Sequence, residues 1–186
     1  YELAYNRNLV LSHDVRGRLL ITKGESNSEV KANFVKGVPA SDMTLEFDGQ
    51  SMHSEITVVR QADSEGGNSG TATLKNPYVS AFRPCVKVQT SGDDIDIKEA
   101  AARELARELS ALKVVIETDR WELNGRILMP NSIVTILNPD IGLNKSTRMF
   151  VEAITYSGDE TVNQAQLTCV VPEVYNGGTS PKNIFA

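Results

Sequence analysis

The chain has 186 residues, of which 40% are apolar, and its 24 acidic residues outnumber its 19 basic ones to give a net charge of −5. This length suits one large domain or a domain and a half, and no apolar run approaches the roughly 20 residues that a membrane-spanning helix needs. Lysines and arginines are scattered without a run, which argues against the basic patch of a nucleic-acid-binding protein. We therefore expect no specific nucleic-acid binding.

The amino-terminal segment predicts a strand pair. Residues 8–22, "NLVLSHDVRGRLLIT", place two apolar runs on either side of the turn "DVRG". The polar stretch "KGESNSEV" that follows is typical of a linker or a domain edge. We assign residues 1–28 to the end of a preceding domain, and we expect residue 1 to be an internal point of a longer protein.

Short strands dominate the next part of the chain. The stretches "MTLEFDG" and "SEITVVRQ" repeat apolar residues at every second position, which predicts half-buried strands. Residues 62–76, "ADSEGGNSGTATLKN", are rich in glycine and serine and are predicted to form a loop. The two cysteines, Cys85 and Cys169, lie in strand-like runs, and we expect two buried thiols and a reducing compartment.

One amphipathic helix is predicted near residues 95–112. An apolar stripe repeats every three or four residues at Ile97, Ala101, Leu105, Leu109 and Leu112. Asp94 or Asp96 can cap its start by accepting hydrogen bonds from unpaired backbone N–H groups. We expect Leu105 and Leu109 to lie in the core or in a subunit interface.

Six further strand-like runs follow the helix, and residues 177–186 are predicted to be a loose carboxy-terminal tail. Many strands with one helix indicate an α+β, mostly β fold, with a barrel-like or sandwich sheet and the helix packed on it. Residues 29–176 would form this barrel-like domain.

The side chains that most often carry chemistry form no recognisable motif. The two histidines, His13 and His53, lie outside any cluster with zinc spacing, and "EGGNSG" lacks the lysine and the helix of a phosphate loop. The acidic group at Asp93, Asp94, Asp96 and Glu99 lacks the ligand spacing of a calcium loop and fits the start of a helix, where the dipole favours carboxylates. We expect no catalytic, cofactor-binding or metal-binding residue, and no enzyme.

The single tryptophan lies in "DRWELNGRILMPNSIVTI", residues 119–136. Asn124-Gly125 tolerates the positive φ angles of a type I′ turn, so a tight hairpin is predicted between the flanking apolar trios. Pro130 ends its second strand. Trp121 is interpreted as a core or interface anchor beside this hairpin, and a tryptophan platform for sugar is the alternative.

The order of these segments resembles the carboxy-terminal half of the baseplate hub protein, tail protein P, of Mu-like contractile-tailed phages, a group related to late-control D proteins and to the hub part of VgrG. The amino-terminal strand pair resembles the family's Asp-x-x-Gly pair at Asp14 and Gly17. The other matching positions are Arg83-Pro84, Trp121, Gly125, Pro130-Asn131, Pro139, Gly142, Tyr156-Ser157, Pro172-Glu173 and Tyr175.

The resemblance implies a virion structural protein, found in the tail baseplate of a phage or prophage and assembled in the host cytoplasm. It implies a homotrimer whose similar barrels give a pseudo-sixfold ring joining the tail tube to the central spike. No catalytic residue and no cofactor come with it. Trp121, Gly125, Pro130, Leu105 and Leu109 are then structural anchors. The alternative function, from the residues alone, is a carbohydrate-binding or carbohydrate-cleaving β domain.

Overall fold

The computed structural model describes residues 9–13, 16–23, 28–60, 69–89, 96–176 and 182–186. Six strands close into a barrel in the order β11-β12-β13-β8-β4-β3. Their bounds are β3 Val30–Lys36, β4 Pro39–Phe47, β8 Leu112–Thr118, β11 Ile133–Asn138, β12 Leu143–Gly158 and β13 Asn163–Val170. The predicted mostly β fold with a barrel and one amphipathic helix is confirmed.

Alternating side chains fill the barrel. Along β8, Val114, Ile116 and Thr118 are buried, and the residues between them are half-buried or exposed. Strand β13 repeats the pattern with Ala165, Leu167 and Cys169. A period of two sends successive side chains to opposite faces of a strand, so one face of each strand supplies the core.

The barrel closes through parallel pairing. Strand β3 pairs in parallel with β11 on one side and, over two residue pairs, with β4 on the other. A sharp turn separates β3 from β4, with Gly37 at a φ of 87°, in the left-handed region that glycine adopts without steric cost. The other four pairs of neighbouring strands in the barrel are antiparallel.

A second layer lies beside the barrel. Strands β5 Glu55–Arg60, β6 Gly70–Lys75 and β7 Pro84–Gln89 form a sheet in the order β6-β5-β7, with β7 parallel to β5. Helix α1, Ile97–Leu109, packs against β5 and β6. Asp96 caps this helix by accepting a hydrogen bond from the backbone N–H of Lys98 at 3.2 Å, whereas Asp94 lies outside the described residues.

Three sequence-based predictions need correction here. Residues 70–75 form β6 and are not a loop, because Ala72 and Leu74 face the helix while β-branched threonines occupy the other face. Leu112 does not extend the helical stripe: it is the first residue of β8 and is buried there. Cys169 is a buried free thiol, but Cys85 is only half-buried because it lies on the sheet's edge strand.

Two terminal pieces complete the fold. Strands β1 Leu9–His13 and β2 Leu19–Lys23 form an antiparallel sheet of their own, and Val10 packs against a small cluster of Ile133, Phe150 and Val170 outside the barrel. A short helix, α2 Glu173–Asn176, follows β13.

The last five residues belong to the segment that the sequence assigns to a loose tail, of which 177–181 lie outside the described residues. Ile184 and Phe185 pack against the main core, and the Tyr78 hydroxyl donates a hydrogen bond to the Lys182 carbonyl at 2.9 Å. No helix of the described residues is both long and apolar enough to cross a membrane.

Candidate functional site at the Trp121 hairpin

The segment around Trp121 forms a two-stranded hairpin outside the barrel. Strand β9, Glu122–Leu123, pairs with β10, Arg126–Ile127. Asn124 and Gly125 have φ angles of 55° and 71°, as a type I′ turn requires. The predicted Asn-Gly hairpin is therefore present, although each strand contributes only two residues. The second strand ends at Ile127 and not at Pro130, as predicted, because only Arg126 and Ile127 pair with the first strand.

The hairpin and the segment after it lie alongside the second half of β12. The Asn131 N–H donates to the Val151 carbonyl at 2.9 Å, and the Val151 N–H donates to the Ser132 carbonyl at 2.9 Å. Nearer the hairpin, the Tyr156 hydroxyl donates to the Leu128 carbonyl. Burial raises the pKa of Tyr156 above its ordinary value, which favours the protonated phenol that this hydrogen bond needs.

Trp121 joins the hairpin to the ends of β12 and β13. Its indole N–H donates to the carbonyl of Gln164 at 2.8 Å and to that of Ser157 at 3.2 Å. The ring meets Tyr156 edge to face, with 6.0 Å between ring centroids. A Cβ at Gly158 would lie 2.8 Å from the tryptophan ring, so glycine leaves the space in which the indole lies.

An apolar surface remains open around this anchor. We define the Trp121 surface as Trp121, Ile127, Met129, Tyr156 and Val162, which are 38–58% exposed. Beside it, a cleft of about 310 Å³ is lined by Leu123, Ile127 and Met129, with Lys31 and Arg126 contributing charge. Aromatic residues and methionine are enriched in protein interfaces. Apolar residues that are exposed as a group also mark interaction sites, whereas single exposed apolar residues do not, so this group suits a contact with another protein.

The other four predicted structural anchors differ in how far they are buried. Leu105 and Leu109 are each 1% exposed in the core between α1 and its sheet. Pro130 is half-buried and lines the cleft, and Asn131 after it has a φ of 59°, which marks the turn into β11. Gly125 is exposed at the hairpin tip.

A buried charge network ties α1 to its surroundings. Glu104 contacts Lys87 at 2.6 Å and Arg107 at 3.2 Å. Glu108 accepts hydrogen bonds from the His53 backbone N–H at 2.8 Å and pairs with His53 Nδ1 at 2.7 Å. Both glutamates are under 10% exposed, and the sequence analysis missed them because charged helix residues are usually solvated.

A second cleft, of about 480 Å³, separates β1 from β12. On its wall, Glu152 accepts a hydrogen bond from the Tyr175 hydroxyl at 2.6 Å and contacts Lys113 at 3.1 Å. Burial and the neighbouring carboxylate raise the pKa of Tyr175, so the phenol stays protonated and acts as a donor. These contacts hold the wall of the cleft together.

The residues considered for catalysis or metal binding do not belong to the Trp121 surface. His13 ends β1, and His53 is held by Glu108. Asp93 and Asp94 lie outside the described residues, and Asp96 serves as the cap of α1. Among the described residues, no group of three or more histidines, cysteines or carboxylates could hold a metal ion.

Solved structures share this fold, although no protein-family profile and no curated protein matches the chain. The 43 kDa tail protein of prophage MuSo2 from Shewanella oneidensis superimposes with a TM-score of 0.75 at 17% identity, over 94% of this chain and 52% of that one. A tail protein from Neisseria meningitidis MC58 gives 0.74 at 17% identity, over 96% and 55%. A chain in the virion of a gene transfer agent particle gives 0.54 at 10% identity, over 97% and 40%.

The chain therefore has the fold of prophage and phage-like tail proteins. It spans about half the length of the two tail proteins that it matches.

Proposed function

We propose that this chain is a structural part of a virion tail and, more specifically, of the baseplate hub that joins the tail tube to the central spike. The observation that carries the proposal is the likeness of fold to two prophage tail proteins over 94% and 96% of the chain. The spaced Arg-Pro, Trp, Pro-Asn and Tyr-Ser positions that resemble Mu-like hub proteins support the hub assignment. On this proposal the protein works by assembly and not by catalysis.

The proposed assembly is a homotrimeric ring in a contractile-tail baseplate, formed in the host cytoplasm. Identical subunits that touch through two different surfaces form a ring when the rotation closes. We assign residues 1–28 to the end of a preceding domain because β1 and β2 pair only with each other in the described part of the chain.

The Trp121 surface is proposed to contact a neighbouring tail protein, either the tube or the spike. Its anchor is fixed by hydrogen bonds to backbone carbonyls, while Trp121 stays 38% exposed and the flanking Ile127 and Met129 are 58% and 45% exposed. Rigid aromatic anchors lose little conformational entropy on binding, which favours them in stable contacts.

The oligomeric mass of the full-length protein tests the ring. Light scattering at micromolar concentration should give three times the subunit mass. A stable monomer would contradict the hub assignment.

Two variants test the Trp121 surface in the same protein. Ile127→Glu combined with Met129→Glu should leave the ring mass unchanged and abolish co-purification with the tube or spike protein. The control is Val38→Glu, which changes a residue that is 72% exposed on the turn between β3 and β4. Equal retention of both partners by the double variant would show that this surface is not the contact.

The carbohydrate alternative rests on the partial exposure of Trp121. Only one other aromatic ring, that of Tyr156, contacts it among the described residues, and the two rings meet edge to face. Measurable sugar affinity that disappears in Trp121→Ala would favour this alternative over the structural role.

A further inference from the structure

The tip of the Trp121 hairpin brings together two groups that can react with each other. Asn124 is followed directly by Gly125, and both residues are exposed. The backbone nitrogen of the residue after an asparagine can attack the carbonyl carbon of the asparagine side chain, because the cyclic imide that forms is nearly free of ring strain. Glycine has no side chain to shield its nitrogen, so an Asn-Gly pair offers this reaction little steric resistance.

Neither reacting group is held by a hydrogen bond within the described residues. The hairpin is closed by pairing of its strand residues and, at its base, by the Leu128 N–H, which donates to the Trp121 carbonyl at 2.9 Å. In the described part of the chain, the Asn124 carboxamide and the Gly125 N–H take part in no such contact. The side chain of Asn124 can therefore rotate towards the backbone without losing a partner.

The turn also has room to change its conformation. A Cβ placed on Gly125 would meet no atom within 4 Å beyond its neighbours in the chain. Ring closure needs a rotation of the Asn124 backbone away from the turn conformation, in which φ is 55°. Each strand of the hairpin has only two residues, and so short a hairpin resists local opening weakly.

We propose that Asn124 is a site of spontaneous deamidation in the folded protein. The Gly125 nitrogen forms a bond to the side-chain carbonyl carbon of Asn124, and the bond from that carbon to the amide nitrogen breaks. The proton that the glycine nitrogen loses leaves with the amide group as ammonia. Water then opens the cyclic imide at either of its carbonyl carbons, which gives aspartate or isoaspartate. No electron is transferred, and water is the co-reactant.

The products would alter the hairpin. Both add a negative charge at its tip, and isoaspartate also inserts a methylene group into the backbone. A type I′ turn fits a fixed length of backbone between its strands, so isoaspartate would disturb the pairing of Leu123 with Arg126. Ile127 of the Trp121 surface follows directly, so the proposed contact with another tail protein would weaken as the protein ages. This consequence rests on the proposed function, whereas the reaction itself does not.

Peptide mapping of the full-length protein tests the site. Trypsin cleaves after Arg120 and Arg126, so the peptide WELNGR, residues 121–126, carries Asn124 and no other asparagine. Its aspartate and isoaspartate forms are heavier than the asparagine form and are separated from each other by chromatography. During incubation in mildly alkaline buffer, Asn124 should convert within about tenfold of the rate of the synthetic peptide WELNGR, because a turn that opens at little free-energy cost reacts much as a free peptide does.

Asn124→Gln is the matched variant, and it should give at least about tenfold less converted peptide because glutamine must close a larger ring. Asn131 is the internal control. It shares the left-handed conformation, with a φ of 59°, but serine follows it and its N–H donates to the Val151 carbonyl at 2.9 Å. Its conversion should also be at least about tenfold lower than that of Asn124.

Conversion of Asn124 more than about tenfold slower than in the synthetic peptide would overturn the proposed site, because the folded turn would then protect it. Equal conversion of Asn124 and Asn131 would overturn it too. So would conversion confined to the other Asn-Gly pair, Asn176-Gly177, whose glycine lies outside the described residues and which falls in a different tryptic peptide.

The oligomeric mass and partner retention separate this inference from the proposed function. A trimer in which Asn124 stays unconverted would overturn the site and leave the hub assignment standing. Conversion in a stable monomer would support the site and contradict the hub assignment. If both hold, incubated wild-type protein should retain at least about twofold less tube or spike protein than Asn124→Gln incubated in parallel, and equal retention would overturn the effect on the Trp121 surface.

Discussion

Trp121 anchors the hairpin through its indole N–H and remains 38% exposed, and a mutation can remove the hydrogen bonds while an aromatic ring is kept. Trp121→Phe keeps an aromatic ring beside Tyr156 and removes the donor shared by Ser157 and Gln164. We expect the free energy of unfolding to fall by about 1 kcal/mol, the usual net contribution of a protein hydrogen bond. Urea unfolding measures the change.

Phe82→Leu is the matched control, since Phe82 is 87% exposed and its change should stay within about 0.5 kcal/mol. If both variants unfold alike, the indole N–H contributes nothing to the anchoring of the hairpin.

Among the elements, helix α1 should contribute to the free energy of unfolding mainly through its buried apolar stripe and much less through its exposed charged residues. Leu105→Ala removes a side chain that is 1% exposed and packed in the main core, and it should cost about 2–5 kcal/mol in unfolding free energy. The helix control is Lys98→Ala, an exposed position in the first turn. A Leu105→Ala effect within ±0.5 kcal/mol would contradict the packing described for this face.

Local patterns predicted most elements because each depends on neighbours in sequence. The alternation in "SEITVVRQ" predicted β5, the stripe from Ile97 to Leu109 predicted α1, and Asn124-Gly125 predicted the hairpin turn. Strand β6 was missed because glycine and serine before it outweighed two half-buried apolar residues in a six-residue strand.

Long-range pairing could not be predicted in the same way. The parallel contact of β3 with β11 joins residues about a hundred positions apart, and no local pattern encodes it. For the same reason, the sequence identified the Trp121 hairpin but not its position along β12. The buried Glu104 and Glu108 were missed because their partners Lys87 and His53 lie outside the helix, in earlier parts of the chain.

For the whole molecule, the charge balance predicts behaviour towards DNA, which would pass through the axis of a tail hub. Basic walls would bind the phosphate backbone tightly because each neutralised phosphate releases counterions. With 24 acidic against 19 basic residues, we expect any surface that lines a lumen to be neutral or acidic. Fluorescence anisotropy on the assembled protein should therefore show binding weaker than the Kd of about 10⁻⁴ to 10⁻⁶ M typical of non-specific binders at physiological salt.

Micromolar affinity that falls steeply as salt is raised would contradict this expectation. It would mean that lysines and arginines separated in sequence converge on one wall of the proposed ring.

Strand β12 is a long strand that links the barrel to the Trp121 hairpin. Its 16 residues pair first with β11 and then with β13, and its second half also carries the Trp121 hairpin. At about 3.3 Å per residue it spans roughly 50 Å of continuous backbone. A force applied to the Trp121 surface along the direction of β12 would therefore load the hydrogen bonds to β13 and β11 together in shear, instead of opening them one after another.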